Sequence, residues 1–133
     1  HGQLDAALRA DPRVVAVEGL NLRGLTLADV GGEPVDLVVA DVSFISLKLL
    51  LRPLLAAAKP AGTALLLVKP QFEVGKCGLD SRGVVKNEGL RAEAVTGVVA
   101  AAAELGWEAV WQGESRLPGE HGNTEFFLKL RRA

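Results

Sequence analysis

The chain has 133 residues, 49% of them hydrophobic, with a formal net charge of −1. That is one domain's worth of sequence with ample apolar content, which excludes a disordered chain and argues against a nucleic-acid coat held by bulk charge. A single cysteine, Cys77, excludes an internal disulfide framework and fits a reducing compartment, and no apolar run approaches the ~20 residues of a bilayer span.

No methionine occurs, and the chain opens at His1 in what reads as mid-domain sequence without a signal peptide. It is therefore expected to be a piece of a longer protein. Gly2 to Ala10 carries Leu4 and Leu8 at helical spacing and ends before the turn signal Asp11-Pro12. Val14 to Val17 is a short β-type run that stops on Glu18, with Asn21 and Arg23 in the loop beyond. Thr26 is placed to cap a brief helix through Val30, and Gly31-Gly32-Glu33-Pro34 breaks the chain.

The centre is Asp36 to Glu73. Val35 to Ala40 is an apolar run that stops on Asp41, and Ala64 to Val68 is a second that stops on Lys69. A leucine-rich helical stretch lies between them, capped by Ser46 and running to about Ala58, with Lys59-Pro60-Ala61-Gly62 as its end. Pro53 inside it predicts a kink, or a short turn followed by a helix restarting near Pro53. Two short runs around a helix read as a βαβ unit with parallel strands, whose ligands bind beyond the carboxyl ends.

Residues 70–86 form a long loop of little periodicity, a length that is usually functional or mobile. It holds Lys76, Arg82 and Lys86, which with Lys69 face Glu73 and Asp80, so it is mildly basic. Asn87 caps a helix with the stripe Leu90, Ala94, Val98, Ala101 and Leu105, and Gly106 stops it. Trp107 to Trp111 and Glu125 to Leu130 are strands without an intervening helix, hence antiparallel, and Arg131-Arg132 are expected to leave the sheet.

Asp41, Lys69 and Glu125 should then converge on one sheet edge, either as a cluster that orients a hydroxyl and accepts its proton or as ordinary solvated strand ends. A lysine serves as base only with a lowered pKa, and flanking carboxylates oppose that, which favours an orienting role. Phe44 and Phe72 follow the strand ends, where they either stack on a base or pack at the loop roots. His1 and His121 are isolated, so no metal-ligand spacing exists, and neither a phosphate-binding glycine fingerprint nor a nucleophile elbow is present.

Three strings are more specific than spacing. Asp41-Val42-Ser43-Phe44-Ile45-Ser46, Val68-Lys69-Pro70-Gln71-Phe72-Glu73 and Gly122-Asn123-Thr124-Glu125-Phe126 resemble the TlyA-type (hemolysin A-like) branch of the FtsJ-like RNA methyltransferases. Gly2-Gln3-Leu4, the Asp11-Pro12-Arg13-Val14 turn, Glu18, Asn21 and Arg23 are similar to it as well. The resemblance implies an α/β, partial Rossmann-like S-adenosylmethionine-dependent methyltransferase fold, supplying strands 3 to 7 of a seven-stranded sheet with the last strand antiparallel. The expected sheet is 4-5-7-6, with strand 4 exposed or covered by a partner and Val14 to Glu18 displaced for want of a neighbour. It implies 2′-O-methylation of ribose in ribosomal RNA, in the cytoplasm. Asp41, Lys69 and Glu125 match three members of the family's Lys-Asp-Lys-Glu tetrad. Glu18, Asn21 and Asp41 are expected at the cofactor, the first two at its adenosine part.

The first catalytic lysine, the glycine-rich cofactor loop and the S4-like RNA-binding domain have no counterpart in this sequence. The chain alone is therefore expected to transfer no methyl group, and its uncovered edge to invite a homodimer. The alternatives are a non-catalytic module that self-associates or keeps RNA contacts, and a membrane-active hemolysin. The last has no spanning segment and no strongly basic amphipathic helix behind it.

Overall fold

Alternation of apolar and smaller residues organises the centre of the chain, seen in a computed structural model that describes residues 2–133. Strand β1 (Val35–Ala40) pairs in parallel with β2 (Ala58–Val68). On its other side β2 pairs antiparallel with β4 (Phe126–Arg132), which pairs antiparallel with β3 (Trp107–Glu114). The sheet order is β1-β2-β4-β3.

One face of this sheet carries the core. Val38, Ala64, Leu66, Val68, Leu128 and Leu130 are buried there against the leucines of the β1–β2 connection and against helix α3 (Glu88–Glu104). On the other face Leu37, Val39 and Trp111 are exposed.

The connection resolves the Pro53 question. A 3-10 turn at Leu47–Leu49 precedes helix α2 (Leu51–Ala56), so Pro53 is its third residue. The first four N–H groups of a helix have no intrahelical acceptor, and the missing N–H of proline costs nothing there. Helix α3 begins as expected, with Asn87 Oδ1 accepting from Leu90 N at 3.1 Å. It ends before Gly106, whose φ of +82° suits glycine.

Several boundaries differ from expectation. Helix α1 spans only Ala6–Ala10, because Asp5 caps it by accepting from Ala7 N at 2.8 Å. Val14 to Val17 forms no strand: it has no ladder partner, and Val15 is 83% exposed. Four strands make up the sheet of the described residues, in the order expected of a sheet in which Val14 to Glu18 has lost its neighbour. Residues 59–62 do not end a helix but bulge from β2, since Val35 faces Ala58 while Leu37 faces Thr63. Gly62 fits there because a Cβ would sit 3.0 Å from the Asp36 carbonyl oxygen. Arg131 and Arg132 stay in the sheet, where Arg131 lies opposite Glu108 and the Arg132 guanidinium sits 5.6 Å from the centre of the Trp107 ring. His1 lies outside the described residues.

Candidate active site

The parallel pairing of β1 with β2 sends both carboxyl ends to one edge, and the antiparallel β4 starts there. Asp41, Lys69 and Glu125 are the residues at those three points. They line a single open cleft of about 680 Å³, together with Phe44, Phe72, Gln71 and the loop around Gly119.

Lys69 forms its floor. Its ammonium lies 2.7 Å from Asp41 Oδ1 and donates to Ser43 Oγ at 3.1 Å, while its side chain is only 14% exposed. An ammonium has three donors. Two are engaged within the Asp41–Ser43 segment, and the third is left for a bound group. The structure thus brings Asp41 to Lys69. Glu125 shares the cleft but its carboxylate accepts from Gln71 Nε2 at 2.8 Å, not from the lysine.

Polar bonds between loops hold this edge in shape. Glu73 accepts from Ser46 Oγ at 2.6 Å and from Leu47 N at 2.8 Å, so one motif caps the turn that follows another. Asn123, 2% exposed, accepts from Val85 N at 3.0 Å and donates to the carbonyls of Gly83 at 3.0 Å and Glu120 at 3.2 Å. It ties the 70–86 loop to the loop that precedes Glu125. That long loop is ordered by two 3-10 turns and by Asp80, whose carboxyl is held below its usual range by the N–H groups of Val84 and Arg82.

Phe44 stands at the rim with φ of +66° and is 82% exposed, its ring centroid 5.2 Å from that of Phe72. A bulky residue held at positive φ is a genuine backbone outlier, and such strain clusters at functional sites. Loop-root packing therefore does not describe Phe44.

Glu18 and Asn21 do not line the cleft. Glu18 accepts from Gly2 N and pairs with Arg9, and these bonds keep its carboxyl below the usual range. The Asn21 side chain accepts from Arg23 N at 3.0 Å, capping a short turn. Sequence reasoning assigned no role to Ser43, Gln71, Gly119 or Asn123. The available signal was that Ser43 and Gln71 are polar residues in the motif strings, each two positions after a charged strand end.

Among the described residues no group of His, Cys, Asp and Glu is placed to hold a metal ion, and no helix is long and apolar enough to cross a membrane. A cleft at the carboxyl edge of an open sheet, floored by an ion pair, is the layout of an α/β enzyme domain. The profile of the FtsJ-like methyltransferases matches residues 1–132, and the chain belongs to that family.

It is 52% identical over 131 residues to the 16S/23S rRNA (cytidine-2′-O)-methyltransferase TlyA of Mycobacterium tuberculosis, covering 98% of this chain and 48% of that protein. It is 35% identical over 128 residues to the 23S rRNA (cytidine-2′-O)-methyltransferase TlyA of Campylobacter jejuni, covering 96% of this chain and 48% of that protein. A solved structure of a protein assigned as a hemolysin, from Streptococcus thermophilus, superposes with a TM-score of 0.94 at 33% identity, over 100% of this chain and 48% of that one. The chain therefore spans about half the length of the curated relatives it matches.

Proposed function

We propose that this chain is the catalytic-edge half of an S-adenosylmethionine-dependent methyltransferase that modifies ribose 2′-hydroxyls of ribosomal RNA in the cytoplasm. The observation that carries the reading is the Lys69 ammonium, held between Asp41 and Ser43 with one donor left over. That donor orients the 2′-oxygen for in-line attack, and Asp41 fixes the lysine. Glu125 presents its carboxylate to the same cleft, where it accepts the proton that the 2′-hydroxyl gives up as the methyl group is transferred. Positioning of this kind supplies much of the rate in a displacement without covalent intermediates. The exposed Phe44 ring, braced on Phe72, offers a stacking face for a base beside the reacting ribose. Arg82 and His121 on the cleft wall suit a phosphate backbone.

S-adenosylmethionine supplies an electrophilic methyl group. Asp41 borders the cleft and fits a place beside it, whereas Glu18 and Asn21 are occupied by local bonds. Contacts to the adenosine part by these two residues require them to exchange those partners. We assign β1, β2, β4 and β3 to strands 4, 5, 7 and 6 of the seven-stranded methyltransferase sheet. The remaining length of the relatives is where we place the earlier strands, the glycine-rich cofactor loop, the first catalytic lysine and the S4-like domain.

Transfer of a labelled methyl group from S-adenosylmethionine into ribosomal RNA by the full-length protein tests this. Lys69→Ala is expected to lower turnover by about 10²-fold or more, the scale of lost positioning of a reacting group, with cofactor affinity measured by calorimetry nearly unchanged. Label found on bases instead of ribose, or loss of cofactor binding in that variant, contradicts the roles assigned. A second reading, self-association, has one observation behind it: the outer edge of β1 has no strand partner among the described residues, and β1 exposes Leu37 and Val39. Sedimentation that stays monomeric over a wide concentration range removes it.

A further inference from the structure

We infer that Gln71 is the positioning residue for the Glu125 carboxylate, a reading that rests on the methyl-transfer function proposed above. Both side chains are buried, Gln71 at 9% and Glu125 at 5% exposure. The Gln71 amide donates from Nε2 to Glu125 Oε2 at 2.8 Å. The same amide's Oε1 is fully buried and has no hydrogen-bond partner among the described residues. Reversing the amide sets two acceptors against each other at that contact, so the carboxylate dictates the orientation that leaves Oε1 without a donor.

An unpartnered buried oxygen destabilises a fold, and a residue kept for packing alone has no reason to carry one. Methionine fills nearly the same volume without it. What glutamine adds over methionine is one N–H aimed at Glu125. Gly119 lies close to the same carboxylate oxygen. Gly119 has an ordinary φ of −79°, yet a Cβ on it would lie 2.0 Å from Glu125 Oε2. Glycine is required there by the approach of Glu125, not by its backbone angle. The carboxylate thus sits in a slot bounded by the Gln71 amide and the bare Gly119 backbone.

The slot also couples Glu125 to Lys69. Lys69 precedes the 3-10 turn Pro70–Phe72, and Gln71 is the middle residue of that turn. Pro70 stiffens it. The lysine that holds the substrate oxygen and the amide that holds the carboxylate therefore move as one short, rigid unit.

The test uses the full-length protein and single-turnover transfer of labelled methyl to ribosomal RNA. Gln71→Met is expected to slow the transfer step by about 10- to 100-fold, the cost of a misplaced group. RNA and cofactor Kd and the melting temperature stay close to wild type. Gln71→Asn, one methylene too short to reach, shows the same loss. Gly119→Ala displaces the same carboxylate and slows transfer likewise. Because both act through Glu125, adding Gly119→Ala to Gln71→Met lowers the rate no further than the worse single variant. A wild-type rate in Gln71→Met overturns the inference. So does a fall in rate matched by lost binding or folding in both Gln71 variants, or a double variant whose losses multiply. Wild-type protein that transfers no methyl to ribose overturns the function itself, which separates the two failures.

Discussion

Asn123 is the point where a single atom exchange has a calculable effect. Its side chain is the only link between the Val85 N–H and the two carbonyls at Gly83 and Glu120 that the described hydrogen bonds record. Asn123→Ala removes three hydrogen bonds and leaves the Val85 N–H without an acceptor in a site where Val85 is 1% exposed. At ~1 kcal/mol per net bond, the three bonds alone come to about 3 kcal/mol, before any added penalty for the buried orphan donor. Unfolding entropy near 2.1 cal/mol/K per residue over 133 residues converts that to a fall in Tm of about 10 °C. Asn123→Asp is isosteric but turns the donor into an acceptor facing two carbonyl oxygens. It is expected to melt lower still at pH 8. Burial raises the folded-state pKa of the new carboxyl above its unfolded value of about 3.9. A raised carboxyl pKa means that the added penalty is full above the folded value and disappears as pH falls toward the unfolded one. The gap between the Asp and Ala variants should therefore narrow from pH 8 to pH 5 in thermal scans followed by circular dichroism. An Ala variant that melts with wild type, or an Asp–Ala gap independent of pH, refutes the account of Asn123 as a buried staple.

Two further outcomes follow from the cleft rim and the 70–86 loop. Phe44→Gly removes an exposed ring and relieves a positive φ, so the protein should hold or gain up to about 1 kcal/mol of stability in denaturant titrations while RNA binding weakens; an RNA affinity equal to wild type removes the stacking role. Asp80 has a carboxyl pKa below its ordinary 3.8 because Val84 N and Arg82 N donate to it. A lowered carboxyl pKa gives stability that is complete above the unfolded value and is lost as pH falls through the folded one. Asp80→Asn should thus melt below wild type at pH 7, with the difference shrinking below about pH 4; a difference that persists at pH 3 contradicts this origin.

How much of this was legible in the sequence depended on whether the signal was local. The Asn87 cap, Gly106 and the interruption at Pro53 act within a turn or two of themselves, and helices α2 and α3 formed where those residues placed them. The parallel β1–β2 pair was legible from two apolar runs around a helix, and with it the meeting of Asp41 and Lys69. Val14 to Val17 has the composition of a strand but no neighbour to bond, and strand propensity without a partner does not make a strand. Arg131 and Arg132 looked like an exit from the sheet because the pairing of each with Glu108 and Trp107 spans more than twenty residues. The Gln71–Glu125 bond spans 54 residues, and no periodicity reports it.

The cleft and the core are held by different forces, and this explains why the motif strings lie at the strand ends and in the loops beyond them. The sheet and helices are fixed by apolar burial that many side chains of similar volume can satisfy. The cleft is fixed by a few polar bonds between loops: Lys69 to Asp41 and Ser43, Glu73 to Ser46 and Leu47, Gln71 to Glu125, and Asn123 to Val85 and Gly83. Each bond has a particular reach and direction, so each admits few residue types. Glu73 shows the consequence. It lies outside the strand ends and reaches no substrate-facing atom, yet it bonds the turn that follows Phe44, so the angle at which Phe44 leaves the sheet depends on a carboxylate 29 residues away in sequence. The strings are specific because they encode both the charged groups that line the cleft and the struts that aim them.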